Sequence, residues 1–257
     1  MICIIGAIKE EISGIIQHIT IKGKKHIDTA TFYIGLKKKE EIIVVRSGVG
    51  QSPAQRAASE AIKRFPLRSI ISIGFAGGLI SELKISDLIL PEKIFCCDNE
   101  ESLFLFKKVS LSQVTNFCDY RDRIKSILNE NGIKFKSGNI ISVNRVAGSA
   151  KFKEWLGENY PVSGVEMETA AIAKVAARNG VPFISLRAVS DEVSHPIIQF
   201  NKFINKKGKI NRVAAGCYVL TRPFLIPRIK ELKKNASKAS KTLTEAVLKI
   251  INSSDIN

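Results

Sequence analysis

Histidine is almost missing from this chain. Three residues among 257, His18, His26 and His195, are too few and too scattered for a multi-histidine metal centre, so no metal and no cofactor is expected. Cysteine is scarce and poorly spaced for cross-linking. The five residues Cys3, Cys96, Cys97, Cys118 and Cys217 are odd in number, contain no CxxC and include an adjacent pair, which reads as reduced thiols rather than a disulfide frame or a zinc site. No apolar run approaches the roughly 18 residues a membrane span needs. No basic region precedes the first apolar residues either, so neither a spanning helix nor a secretory signal is evident and a cytoplasmic protein is the expectation. Repeats and low-complexity linkers are absent too. A chain of 257 residues with 45% hydrophobic content then suits one domain spanning residues 1–257 with a sizeable core.

Acidic residues are also in short supply, 24 against 40 Lys and Arg, but the imbalance is local. Residues 202 to 249 hold thirteen basic side chains against Glu231 and Glu245, which concentrates +11 of the formal +16 there. A uniformly basic fold would suggest nucleic acid. A basic tail on a near-neutral body suggests instead a surface for phosphates, lipid head groups or an acidic partner, and no nucleic-acid partner is expected.

What is plentiful is the alternation of short apolar runs with helical segments. Ile2 to Ala7 is continuous and apolar, as a strand buried on both faces should be, and Lys9-Glu10-Glu11 opens a helix through about His18. Residues 29–35 and 41–46 suit a hairpin, and Ser47-Gly48-Val49-Gly50 makes a glycine-rich turn into a helix from about Ser52 to Arg64, a geometry that offers backbone N–H groups to an anion. Ser69 to Ile73 is another buried strand. It runs into Gly74-Phe75-Ala76-Gly77-Gly78, where three glycines in five imply positive φ or a close approach to the backbone. Strands at 87–91, 93–97 and 135–142 and helices at about 120–131 and 150–158 follow, with Asn144 to Gly148 as a loop. The expected fold class is α/β: a mixed, largely parallel sheet flanked by helices.

The chemistry concentrates at Gly164-Val165-Glu166-Met167-Glu168-Thr169-Ala170-Ala171, where a strand hands over to an Ala-rich helix through Arg178. Glu166 and Glu168 fall at the strand end and first turn, where a carboxylate also serves as a helix cap. Val181 to Val189 then reads as a second strand ending in Ser190-Asp191, making a βαβ unit with acids at its strand ends, where ligands of open α/β sheets bind.

The segments IIGAIKEE (4–11), SGVG (47–50), GFAGG (74–78) with DLILP (87–91), and GVEMETAAIAKV (164–175) with RAVSD (187–191) occur in the order of a known family. Over residues 1 to 191 the chain resembles the nucleoside phosphorylase superfamily, in particular the methylthioadenosine/S-adenosylhomocysteine nucleosidases. From Val213 through Arg222-Pro223 to the last helix it looks more like the hopanoid-associated phosphorylases, a branch linked to adenine removal from adenosylhopane. The resemblance implies cleavage of a ribose-to-purine bond through an oxocarbenium-like state, which needs an acid for the departing base and a nucleophile from the opposite face. It assigns Asp191 as the acid acting on purine N7, oriented by Ser190, and Glu11 as the base that activates water. It places Glu168 on the ribose hydroxyls, Met167 beneath the sugar, and Glu166, Ala7, Ile8, Val49, Phe75, Ala76, Gly77, Val146, Ala147 and Arg187 around the substrate. A carboxylate at Glu11 favours water over phosphate as nucleophile, whereas Arg46 and Arg187 near strand ends would suit phosphate. A degenerate member that only binds nucleosides or nucleic acid is the alternative outside catalysis; retention of Glu11, Glu168 and Asp191 speaks against it. Relatives complete their pocket from a neighbouring subunit, so a homodimer is implied.

Two positions depart from the family. Phe75 stands where a small residue is usual, and Val146-Ala147 replaces the aromatic that stacks on the purine, a change that suits a greasier 5′ substituent on the nucleoside, such as a lipid. The C-terminal segment fits that idea. Ile229, Leu232, Ala236, Ala239, Leu243, Val247 and Ile250 recur at three- and four-residue steps, opposite Lys230, Lys233, Lys234, Lys238, Lys241 and Lys249. Residues 197–251 therefore read as a basic helical extension that either packs on the domain or lies on an anionic membrane surface, at the inner face.

Overall fold

The computed structural model of the protein describes residues 1–38, 40–97, 99–114, 118–196, 208 and 225–253. Ten strands and seven helices are formed among them. The strands are β1 (Ile2–Gly6), β2 (Thr20–Ile27), β3 (Ala30–Lys37), β4 (Glu40–Arg46), β5 (Ser69–Gly78), β6 (Leu88–Cys97), β7 (Leu111–Val114), β8 (Lys136–Ser142), β9 (Gly164–Glu166) and β10 (Phe183–Asp191). The helices are α1 (Lys9–Ile16), α2 (Gln51–Arg64), α3 (Glu100–Phe104), α4 (Cys118–Glu130), α5 (Ala150–Asn159), α6 (Thr169–Arg178) and α7 (Ile226–Asn252).

All five residues of β1 are buried, as its continuous apolar run requires, and all nine of β10 are buried too, Ser185, Arg187, Ser190 and Asp191 among them. Side chains alternate between two layers. Ile2 and Ile4 join Ile71, Ile73, Ile184 and Leu186 under α1, α4 and α7, while Cys3 and Ile5 join Ile43, Val45 and Ile70 under α2 and α6. Alanine keeps α2 and α6 slim enough for close packing, with Ala54, Ala57, Ala58, Ala61, Ala170, Ala173 and Ala176 all buried between them and the sheet.

The sheet runs β10-β6-β8-β9-β5-β1-β4-β3-β2, with β7 on β6, and β10 also pairs with β5. That last pairing closes β10, β6, β8, β9 and β5 into a ring. The α/β class and mixed sheet are as expected, but the βαβ reading of β9-α6-β10 is corrected. β9 lies antiparallel to β5, β5 parallel to β10, and β9 and β10 are not neighbours. β9 meets β5 only at Gly77↔Val165 and Gly78↔Gly164, so its end at Glu166 falls back beside the middle of the glycine run.

Two further differences concern the ends of the sheet and the chain. β2 lacks an apolar period because it is an exposed edge strand, and its Lys22, Lys24 and Lys25 are the kind of charge that blocks edge-to-edge pairing. In α7 the expected apolar stripe is buried only over its second half: Ala239, Leu243, Ala246, Val247, Ile250 and Ile251 enter the core, while Ile229, Leu232 and Ala236 are half-buried. Burying each leucine-sized side chain contributes about 1.5–3 kcal/mol, which fixes that half on the domain and rules it out as a membrane-lying surface. The rest of the 197–224 stretch apart from Gly208 lies outside the described residues, as does Cys217. Among the described residues, no helix is long and apolar enough to cross a membrane.

Candidate active site

Glu11 occupies the third position of α1, where it turns back on the chain. Its Oε2 accepts from the N–H groups of Ala7 (2.6 Å) and Ile8 (3.1 Å), so it does cap its own helix. A cap would need no more. Yet its Oε1 accepts from the N–H of Phe75 on β5 (3.0 Å), which ties the first helix to the glycine run. Gly74 makes that approach feasible, because a Cβ there would stand 2.9 Å from Glu11 Oε1 and 3.3 Å from Arg187 Nη1. Gly74 and Gly77 therefore answer to close approach, Gly78 meets only ordinary contacts, and none of the three has positive φ, which occurs instead at Gly48 and Gly50 in the turn before α2. Burial pushes the Glu11 carboxyl above its ordinary range, opposed by Arg187 and the three amides. Lone-pair capacity left on Oε1 lets this carboxyl accept a further hydrogen bond, such as one from water.

Glu168 is the N-cap residue of α6, but it does not cap the helix. Glu166 does: its Oε2 accepts from the N–H groups of Glu168 and Thr169, both at 2.9 Å. Freed from that task, Glu168 reaches across to the glycine turn, where its Oε1 accepts from Gly50 N–H at 2.7 Å. The acceptor offered to that turn is thus a side chain of the protein. Among the described residues Oε2 of Glu168 accepts no hydrogen bond and is available to a hydroxyl. Burial, then the Glu166 and Glu11 carboxylates, push the Glu168 carboxyl up to about 8, against the pull of Gly50 and Arg187.

Glu166 and Arg187 lie beneath this surface rather than on it, which corrects their placement around the substrate. Arg187 is 1% exposed and Glu166 4%. The guanidinium contacts Glu166 Oε2 (3.1 Å), Ser72 Oγ (2.8 Å), Thr169 Oγ1 and the Leu186 carbonyl (2.9 Å), while Ser142 Oγ donates to Glu166 Oε1. Their hydrogen-bonding capacity is spent on the scaffold, so Arg187 has no free fork for phosphate. Arg46 is half-buried and donates to Thr31 Oγ1 (3.2 Å).

Asp191, 4% exposed, ends β10. Ser190 Oγ donates to its Oδ1 (2.8 Å), and on the other side Lys153 Nζ donates to Oδ2 (2.8 Å). A cavity of about 210 Å³ opens there, lined by Ser190, Asp191, His195 and Pro196 and by Arg228, Glu231, Leu232 and Asn235 of α7. A wider cleft of about 630 Å³, around Asp87 and residues 132–136, holds none of these acids.

Ala7 and Ile8, Phe75, and Gly50 beside Val49 are drawn together by Glu11 and Glu168, with half-buried Met167 next to them in the chain. Ala76 and Gly77 lie beside Asp191 across the β5–β10 pairing. Val146 is half-buried, but Ala147 packs into the cluster of Phe152, Leu156 and Val165, away from open space. The loop carrying them is held by Glu100, which accepts from Asn144 N–H (2.7 Å) and Nδ2 (2.8 Å). Glu100, Lys153 and the Arg228–Asn235 face of α7 were not legible as site residues: Lys153 sits in a Lys-rich helix where Lys151 is exposed, and nothing local separates the two.

Comparison with known proteins converges on one family. An Halalkalibacterium halodurans 5'-methylthioadenosine/S-adenosylhomocysteine nucleosidase is 33% identical over 194 residues, covering 73% of this chain and 84% of the relative. A Helicobacter pylori aminodeoxyfutalosine nucleosidase is 29% identical over 209 residues, covering 79% and 91%. The crystal structure of a Helicobacter pylori MTAN variant with 5'-methylthioadenosine in the active site superposes with a TM-score of 0.71 at 27% identity, covering 96% of this chain and 97% of that one. The family model for the Phosphorylase superfamily matches residues 1–224, which include Glu11, Glu166, Glu168 and Asp191, and this chain belongs to that superfamily.

Proposed function

We propose that this protein is a nucleosidase that hydrolyses the N-ribosidic bond of an adenosine-type nucleoside and releases adenine. Asp191 gives a proton to the departing base at N7, Glu11 takes one from the attacking water, and Glu168 holds the ribose hydroxyls through its free Oε2. The names of the similar proteins support the substrate class. The observation that carries hydrolysis over phosphorolysis is the occupancy of the anion-binding amides. Those of Ala7, Ile8 and Phe75 hold the Glu11 carboxylate, that of Gly50 holds Glu168, and Arg187 is committed to Glu166. A phosphate would have to displace the buried Glu11 side chain from its three amides or sit against it, and an ionised Glu11 disfavours both. Turnover of 5′-substituted adenosines with and without phosphate tests this. The 5-substituted ribose without phosphate is expected in both assays; its 1-phosphate would reverse the assignment in favour of Arg46 as an anion site, and absence of adenine release from every nucleoside would favour a binding protein.

The substrate's 5′ substituent is lipid-like in this reading, and the protein is a cytoplasmic enzyme that visits an anionic membrane at the inner face. Support comes from the first half of α7, where Arg228, Lys230, Lys233, Lys234 and Lys238 are exposed beside the half-buried Ile229 and Leu232. Each basic residue at such a surface contributes about 1 kcal/mol at low salt. Co-sedimentation with anionic vesicles at low salt, weakened by replacing Lys230, Lys233 and Lys234 with Gln, is the expected result; no binding of the parent chain would leave a soluble enzyme. A homodimer completes the proposal, supported by the exposure of Leu105 (67%) and Phe106 (46%) beside the Phe152–Trp155 cluster. Sedimentation velocity showing an active monomer would overturn it.

A further inference from the structure

Lys153 is fully buried, although an unpaired ammonium in such a place would cost several kcal/mol. The structure satisfies all three of its donors: Asp191 Oδ2 at 2.8 Å, the Glu192 carbonyl, and the His195 carbonyl at 2.9 Å. All three acceptors belong to the end of β10 and the turn after it. With Ser190 Oγ on Oδ1, both oxygens of Asp191 are held, and the carboxyl plane has no freedom to rotate. Gly77 supplies the room, since a Cβ there would lie 3.0 Å from Asp191 Oδ2 and 3.5 Å from Lys153 Cδ.

We propose that Lys153 is the positioning residue of Asp191: it fixes the carboxyl toward the base and stabilises the negative charge that appears on it as the base departs. The proposal rests on the reading of Asp191 as the acid. In that step the O–H bond of Asp191 breaks, an N–H bond forms at the purine as the C–N bond yields its electrons to the base, and a carboxylate is left facing the ammonium. That attraction grows as the proton leaves, so it lowers the barrier more than it strengthens substrate binding. A purely architectural lysine would hold the turn without this preference.

The test compares Lys153→Met, Asp191→Asn and the double variant on a 5′-substituted adenosine and on 4-nitrophenyl β-D-ribofuranoside, whose leaving group needs no proton. Lys153→Met is expected to lower kcat for the nucleoside about 10²-fold, the scale of losing one preorganised electrostatic partner, with KM changed little. On the nitrophenyl riboside the same change is expected to alter the rate by about threefold at most, and in the Asp191→Asn background it adds no further loss on the nucleoside. Rates are taken per folded molecule, by near-UV circular dichroism. Lys153→Gln, which keeps a donor without the charge, carries the same expectation if the Met variant folds poorly. Equal losses on both substrates, or additive losses in the double variant, would overturn the proposal in favour of an architectural lysine. An undiminished Asp191→Asn enzyme would remove the acid assignment itself, whereas a slow Asp191→Asn enzyme with a fast Lys153→Met enzyme would remove only Lys153.

Discussion

Raising the pH should loosen this fold, and Glu168 is the side chain responsible. Its carboxyl is held up to about 8 by burial and by the Glu166 and Glu11 carboxylates, against an ordinary value of 4.5. In the unfolded chain it loses its proton above 4.5, while in the native protein it keeps it until about 8. Between those values the unfolded state binds fewer protons, so stability falls as pH rises; the contribution is whole below the lower value and gone above the upper one. At about 1.4 kcal/mol per pH unit the interval sets a ceiling of about 5 kcal/mol. Glu168 is only half-buried and solvent screens part of the penalty, so about 2–3 kcal/mol is the expected size. For a chain of this length that corresponds to about 4–12 °C in Tm. Glu168→Gln keeps the shape and the acceptor for Gly50 N–H but cannot ionise. Thermal melts across this pH range should fall steeply for the parent and flatten for the variant, which becomes the more stable of the two at the alkaline end. Glu11 is shifted in the same direction and persists in both proteins, so some slope remains. Parallel curves would refute the assignment, as would a variant that is less stable at every pH.

Asp191→Asn should slow turnover about 10²-fold or more, the usual loss for a general acid, by an adenine-release assay. Arg187→Met should cost about 3–5 kcal/mol of unfolding free energy in urea, since it strands Glu166 in the core; a variant of parental stability with only a changed phosphate response would mean Arg187 serves substrate after all. Leu243→Ala should cost about 2–5 kcal/mol by opening a cavity under α7, and an unaffected protein would show that the last helix is not docked in solution.

Much of this protein is written locally. The unbroken run of β1, the alanines of α6 and the three- and four-step apolar spacing from Ala239 to Ile250 each answer to a neighbour only a few residues away, so element type and burial are legible from pattern. Glu11, Glu168 and Asp191 stand out in the sequence as carboxylates just past apolar strands, but the roles proposed for them come from the family resemblance and not from that pattern. Edge strand β2, with one face to water and lysines along it, carried no period to read. What tertiary structure alone decided is the division of labour among the charges. Glu166 and Glu168 are two residues apart, and which of them is sunk beneath the site depends on the short antiparallel overlap of β9 with the end of β5. Arg187 is withdrawn from the surface because Glu166, Ser72 and Thr169 converge on it from three elements. Lys153 meets Asp191 across thirty-eight residues of chain, and that pairing exists only once α5 is laid against the ring of strands. Charge pairing is set by distance in space, and a linear pattern encodes that distance only when the chain between the partners is regular.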